Sequence, residues 1–479
     1  MTHPETPTPT GRPVQRRTLL RAVSAAGLLT PLGASLASCA ASGSGSDSGT
    51  TTSAANTGDP KNPFGVAPDS TVDAVIFDGG YGTDYASFAA KTLEGEQQGV
   101  TVKVSGTTQI AQELQPRFVG GNPPDIIDNS GANAIGLSAI ASQLEDLQQV
   151  IDAPNLEGTK IADTLYPNVL GVGMYDGKLA AVNYVLTVYA LWYSKTLFDD
   201  NGWAPPKTWD EALALGAEAK KQDKYLFTWG KEAASYYLTM LLDSAIKSGG
   251  DEVRLAVANL QPDAWSNQAL LDTLAKMEEV VKQGYMRPGG AGTQFTAAQA
   301  QWSQAQEALL YPSGSWIENE MKNATAKDFT MTGAPAPTVT DSPSMPYEAI
   351  NNTPNEPYVV PSKGKNTAGG LEMLRVMLST EAATNFAKTK LAPTIVSGVV
   401  PKDAFGSSAL ASQVAMLEGA GTNTFSYNFV AYYGMTADVN VLFNSFLSGS
   451  SDAKTLAAGM QKISDKIRED DSVTKVQVS

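Results

Sequence analysis

Histidine and cysteine are almost missing from this 479-residue chain; each occurs once, as His3 and Cys39. With no imidazole in the body of the chain there is no Ser-His-Asp triad and no histidine general base. With no second thiol there is no disulfide, no cysteine zinc cluster and no iron–sulfur centre. The enzymatic chemistry left open is a Ser-Lys pair or a pair of carboxylates. No metal or cofactor is expected. Charge is sparse, at 17% of residues, and lopsided: 34 Lys and Arg against 49 Asp and Glu give a formal net charge of −15. An acidic body argues against nucleic acid and anionic membrane surfaces as partners, although solubility alone would account for the charge. No internal repeat is visible.

What is present begins with a targeting segment. Arg16-Arg17-Thr18-Leu19-Leu20-Arg21 is a twin-arginine pattern. The apolar run behind it, broken by Gly27, Pro31 and Gly33, is too short and too interrupted for a spanning helix. Leu36-Ala37-Ser38-Cys39 has the form of a lipobox, so residues 1–38 read as a lipoprotein signal peptide and Cys39 as the lipidated first residue. The alternative is an uncleaved anchor with a chance cysteine. Diacylation supplies the two chains that stable anchoring takes. Cleavage would leave 441 residues and, because the leader holds four Arg and one Glu, a charge of −18. Residues 39–70 are expected to be a flexible tether, since Ala40 to about Gly58 is almost entirely Ser, Gly, Thr and Ala.

The body alternates strands and helices. Strands are expected at Val72–Phe77, Gly99–Val104 and Ile126-Ile127, with helices over Tyr85–Glu96 and Ile110–Gly120. That order means an α/β lobe with a largely parallel sheet, whose ligands bind beyond the carboxyl ends of the strands. Two polar loops lie there, Asp78-Gly79-Gly80-Tyr81-Gly82 and Asp128-Asn129-Ser130-Gly131. Neither completes a nucleotide-binding pattern. Further on, Thr208 should cap a helix over Trp209–Lys221, and Leu270, Leu274, Met277 and Val281 mark an amphipathic helix over Ser266–Gln283. Phe295–Leu309 reads as a helix, with Pro312–Ser315 a tight turn presenting Trp316. Thr338–Pro357, with four prolines, is either an exposed insertion or the way back to the first lobe; Gly370–Lys388 reads as one helix.

The segment organising the chain is Tyr175–Lys195, YDGKLAAVNYVLTVYALWYSK. It is nearly uncharged from Leu179 to Trp192, and Asn183 and Thr187 interrupt it, which a buried strand tolerates only with partners. It has the character of a strand that leaves one folding unit and enters another. Followed by LWYSKTLF and PPKTWDEAL, it resembles the first inter-lobe crossover of the maltose-binding-protein-like solute-binding proteins of ABC transporters. NPPDIID at Asn122–Asp128, AQEALLYPSGSW at Ala305–Trp316 and EPYVVPSKGKN at Glu356–Asn366 resemble further segments of that family in the same order.

The resemblance implies a two-lobed α/β periplasmic-binding-protein type II fold with three inter-lobe crossovers. Residues 71–187 and 350–398 would form one lobe, 188–349 and 399–479 the other. It implies a monomer that captures a small sugar between its lobes, passes it to permease subunits coupled to an ATPase, and is lipid-anchored on the extracellular face of the membrane. Sugars need aromatic faces for stacking and planar amides and carboxylates for their hydroxyls. The stacking candidates are Tyr81, Trp229, Tyr236, Trp316 and Tyr432; the polar candidates are Asp78, Asp128, Asn129, Asn183, Glu318, Asn352 and Asn428. Of these, Asp128, Asn129, Asn183, Tyr236 and Trp316, with Phe77, fall where the resemblance puts sugar contacts or their neighbours. For Trp316 the alternative is core packing against the preceding helix. Asp128-Asn129 stands where maltodextrin binders carry aromatics, which favours a short sugar such as the N-acetylglucosamine or chitobiose of similar actinobacterial proteins. The rivals are a secreted carboxylate-pair glycosidase using Glu318 with Asp128, and a binder of another solute class.

Overall fold

The computed structural model describes residues 59–478, apart from residues 132 and 341. These fall in one of the two units into which the chain divides, Thr51–Ser479. The twin-arginine pattern, the lipobox with Cys39 and the segment to Gly58 lie outside the described residues.

Two sheets carry the architecture. Taken in chain order, their strands are β1 (Thr71–Phe77), β2 (Thr101–Thr107), β3 (Ile126–Asp128), β4 (Val182–Leu186), β5 (Ala190–Ser194), β6 (Tyr225–Phe227), β7 (Ala308–Ser313), β8 (Met331–Ala334) and β9 (Pro354–Val359). The first sheet has the order β2-β1-β3-β9-β4, the second β8-β5-β7-β6. β1, β2 and β3 are parallel, as the strand–helix alternation requires, whereas β9 returns from the other sheet and runs antiparallel to both its neighbours. The first sheet is therefore largely parallel, as alternation predicted, with β9 the one strand running against the other four.

Tyr175–Lys195 does connect the two sheets: β4 ends at Leu186, residues 187–189 make the passage, and β5 begins at Ala190. Every residue of both strands is buried. Asn183 is tolerated because its amide donates to the Pro354 carbonyl at 2.9 Å. Thr338–Pro357 is the way back: Ile350-Asn351 pairs with Thr424-Phe425, and β9 follows. Asp243 clips this passage to the second lobe by accepting from Asn351 at 3.1 Å and Tyr427 at 2.9 Å. Burial pushes the Asp243 carboxyl up to about 7, an effect opposed by Lys247 one turn on.

Each sheet has its own core. Val72, Ile76, Leu93, Leu371, Leu374 and Phe386 pack on one; Trp209, Leu241, Leu270, Leu274, Met277 and Met460 on the other. The Thr208 cap forms as expected, its hydroxyl accepting from the Glu211 N–H at 3.2 Å. Val280 rather than Val281 completes the buried face of the Gln268–Lys282 helix.

Four expectations are corrected. The packed body starts earlier than residue 71: Phe64 and Val66 are buried in the first core, and Lys61 accepts from Gln97 at 2.7 Å. Gly370–Lys388 is two helices, Thr367–Met377 and Thr380–Lys390, because the Ser379 hydroxyl caps a new start. The Phe295 helix stops at Ser303, and Pro312 belongs to β7; its missing N–H costs nothing there, beyond the last pairing with β6 at Leu310. Finally, the 399–479 segment expected in the second lobe also reaches the first, where Tyr432 and Tyr433 pack with Ile135, Leu137 and Tyr175.

Candidate sugar-binding cleft

β7 ends at Ser313, and Gly314-Ser315 carries the chain into the short helix Ile317–Met321 with Trp316 at its start. A side chain at Gly314 would fall 2.1 Å from the indole ring, so the turn has room only for glycine. The half-buried indole leaves the second sheet and packs against the first lobe's core. Tyr189, from the first passage, meets it edge-on at 5.8 Å, and Tyr236 meets it at 5.7 Å and 61°. Gly80 backs its Cβ, and the Asn319 amide donates to the Gly80 carbonyl. Aromatic rings from the second lobe and from the connection thus converge on one indole that reaches the first lobe, a geometry suited to the apolar face of a pyranose.

Polar groups surround these rings. Asp128, fully buried at the carboxyl end of β3, accepts from Tyr85 at 3.1 Å and from Ser130. Burial raises its carboxyl well above the usual carboxylate range, and neighbouring Glu356 adds to this. Glu356 is half-buried with φ +56°, and burial raises it too. The Asn183 Oδ1, Thr187 Oγ1, Ser313 Oγ, Ser315 Oγ and Tyr81 hydroxyl are buried without a partner. Buried polar atoms nearly always have one, so this concentration near the passage marks groups for a ligand or water to satisfy.

The structure brings together Tyr81, Asp128, Asn183, Tyr236 and Trp316 of the residues expected from sequence, but it changes several roles. Tyr81 is no ring platform: 4% exposed, it packs on Phe386 at 5.1 Å and offers only its hydroxyl. Asp78 is exposed at the strand end. Asn129 spends its amide on Ile135, with bonds of 2.8 and 2.9 Å. Trp229 is 1% exposed in the second core and donates to Asn444 at 3.2 Å, so it cannot stack on a ligand. Tyr432 is covered too, stacked on Tyr175 at 4.7 Å and donating to Thr474. Asn428 bonds Tyr175 at 3.4 Å, and half-buried Asn352 donates its N–H to Phe425. Phe77 packs its ring on the backbone of Gly79 and Gly131. Tyr189 and Glu356 were missed. A tyrosine between two buried strands and a lone acid before a proline were the available signals.

The glycosidase arrangement does not form. Glu318 accepts from Ser407 at 2.5 Å, and Asp128 is sealed behind Tyr85 and Ser130. Among the described residues no metal-binding group of His, Cys, Asp and Glu is found, and no helix is long and apolar enough to cross a membrane. A groove of about 1130 Å³ between the helices Gln268–Lys282 and Ala453–Glu469 is backed by Trp265 and Ala457 and lies apart from this cleft.

Two lobes joined by strand passages, with an aromatic and polar cleft at the junction, define a solute-binding protein. The family model for bacterial extracellular solute-binding proteins matches residues 79–384, and the chain belongs to that family. It is 57% identical over 467 residues to the diacetylchitobiose binding protein NgcE of Streptomyces coelicolor, covering 97% of this chain and 98% of that one. A multiple sugar-binding protein of Streptococcus mutans is 22% identical over 50% of this chain and 55% of its own length. These relatives are binding proteins, not enzymes. Among solved structures, a raffinose complex of RafE superposes with TM-score 0.66 at 18% identity, covering 83% of this chain and 99% of RafE. A chitin oligosaccharide binding protein does so with TM-score 0.65 at 16% identity, over 82% and 98%. At such identities the likeness shows the two-lobed fold alone.

Proposed function

We propose that this protein is the substrate-binding component of an ABC sugar importer and captures a short chitin-derived sugar, diacetylchitobiose or N-acetylglucosamine, between its lobes. The observation that carries this reading is the Trp316 cluster, in which Tyr189 and Tyr236 hold an indole at the lobe junction. Its supporting comparison is the 57% identity, along nearly the whole of both chains, to a diacetylchitobiose binding protein. Trp316 and Tyr236 would supply apolar faces, and Asn183, Glu356 and the Tyr81 hydroxyl would take the sugar's polar groups, with buried Asp128 behind Glu356. Closure would be a hinge motion at residues 187–189, 335–353 and 397–407. The closed monomer would then be read by permease subunits coupled to an ATPase. A thermal-shift panel of mono- and disaccharides tests this. Ligand at 100 times its Kd stabilises the folded state by about 2.7 kcal/mol, so a chitin disaccharide should raise the melting temperature where maltose and raffinose do not. A panel in which only a non-chitin solute shifts the transition overturns the sugar assignment.

We infer that export follows the twin-arginine leader and that Cys39 carries the lipid holding the protein at the extracellular face. Cys39→Ala should leave unprocessed precursor or release the protein from the membrane fraction. A variant that fractionates and migrates like the parent rejects the anchor.

A further inference from the structure

The pairing of β3 with β9 sets two acids side by side. Asp128 stands opposite Tyr358, and the Asn129 N–H donates to the Pro357 carbonyl at 3.0 Å, which puts Ser130 across from Glu356. Residues two apart on a strand share a face, so Asp128, Ser130, Glu356 and Tyr358 converge. No ion pair among the described residues involves either carboxyl. The other elements packed here bring neutral hydroxyls: Tyr85 from the Asp84–Glu96 helix, Tyr184 from β4 and Tyr189 from the passage. Two buried carboxyls without a cation cannot both ionise at low cost, and burial raises both.

A second, independent observation points to a ligand at this wall. Tyr81 is 4% exposed, and its hydroxyl lacks a hydrogen-bond partner; Ser315 stands close without forming a bond of normal geometry. Burial raises this hydroxyl, and neighbouring Glu356, Tyr189 and, from the second lobe, Glu320 add to the rise. Glu356 itself holds a left-handed backbone between Asn355 and Pro357, the kind of local strain that persists at binding sites.

We propose that the Asp128–Glu356 wall is an ammonium subsite, so that the cleft accepts amino sugars with a free amine as well as neutral short sugars; this rests on the sugar-binding reading above. An ammonium group has three donors and no acceptor, matching the half-buried Glu356 carboxylate and the Tyr81 oxygen, with sealed Asp128 behind Glu356, and it supplies the positive charge the wall lacks. A sugar hydroxyl could use one carboxylate but would leave the negative charge uncompensated.

Calorimetric titration of the mature protein with diacetylchitobiose and with the fully deacetylated disaccharide tests this. The deacetylated sugar should bind saturably and compete with the acetylated one. Glu356→Gln should weaken both but lower the amine-to-acetyl affinity ratio at least tenfold, whereas Glu356→Asp, which keeps the charge, should hold the ratio near the parent's. Ligand-free melting of each variant checks that it is folded, and half-buried Glu356 is the safer site to alter than sealed Asp128. Binding of the diacetylated sugar with none of the deacetylated one, or a ratio unmoved by Glu356→Gln, rejects the ammonium subsite and leaves the sugar-binding reading standing. Binding of neither rejects both.

Discussion

Trp316→Ala should weaken sugar binding by about tenfold to a hundredfold, the effect of losing a central aromatic contact worth about 1–3 kcal/mol. The indole is half-buried, and Tyr189 and Tyr236 fix it from two sides. It has two side-chain torsions, so little entropy is lost when a ligand orders it further. Removing it should change the unligated melting temperature far less than removing a fully buried tryptophan such as Trp229, whose truncation should cost about 3–5 kcal/mol. Titration and melting of both variants check the contrast. If Trp316→Ala loses several kcal/mol of unligated stability and keeps its affinity, the indole is a packing residue, and the ligand must rest on Tyr236 and the hydroxyls.

Arg375→Met should cost about 3–5 kcal/mol of stability, because it strands a buried carboxylate. Glu372 is 0% and Arg375 1% exposed, and the guanidinium holds both carboxylate oxygens at 2.7–3.0 Å. It also donates to the carbonyls of Pro154, at 2.9 Å, and Lys61, at 3.4 Å, so it ties the chain just before Phe64 to the first lobe. Burial raises the Glu372 carboxyl, and Arg375 pulls it back. Without the arginine the folded-state value rises further above the unfolded one. A carboxyl raised in this way favours folding below its unfolded value and disfavours it as pH climbs through the folded one. The deficit should therefore be largest at neutral pH and shrink towards pH 4, near the unfolded carboxyl's value. Denaturant unfolding at pH 7 and pH 4 measures both; a deficit under 1 kcal/mol at pH 7 contradicts the account.

The fold was legible where local rules and tertiary packing agree. The Tyr175–Lys195 segment declared itself by lacking charge over two strand lengths, and Thr208 by standing one residue before a helix. Trp316 stood out because a Gly-Ser pair precedes it, and a small turn can aim a large ring. Trp229 also has a glycine beside it, at Gly230, and only the helices that cover Trp229 make it core. Tyr432 misled for the same reason, since its covering partner Tyr175 lies 257 positions earlier in the chain. Glu356 was invisible because its significance comes from the register of β9 against β3, which brings it beside an acid 228 positions away. Cross-strand neighbours carry no local signature in a single sequence.

The most direct test of the central claim is calorimetric titration of the purified mature protein with diacetylchitobiose, followed by analysis of the recovered sugar. The account predicts saturable binding of one disaccharide per chain, lost or strongly weakened in Trp316→Ala, with the sugar recovered intact. Absence of saturable binding, or recovery of the sugar as monosaccharide, would contradict it.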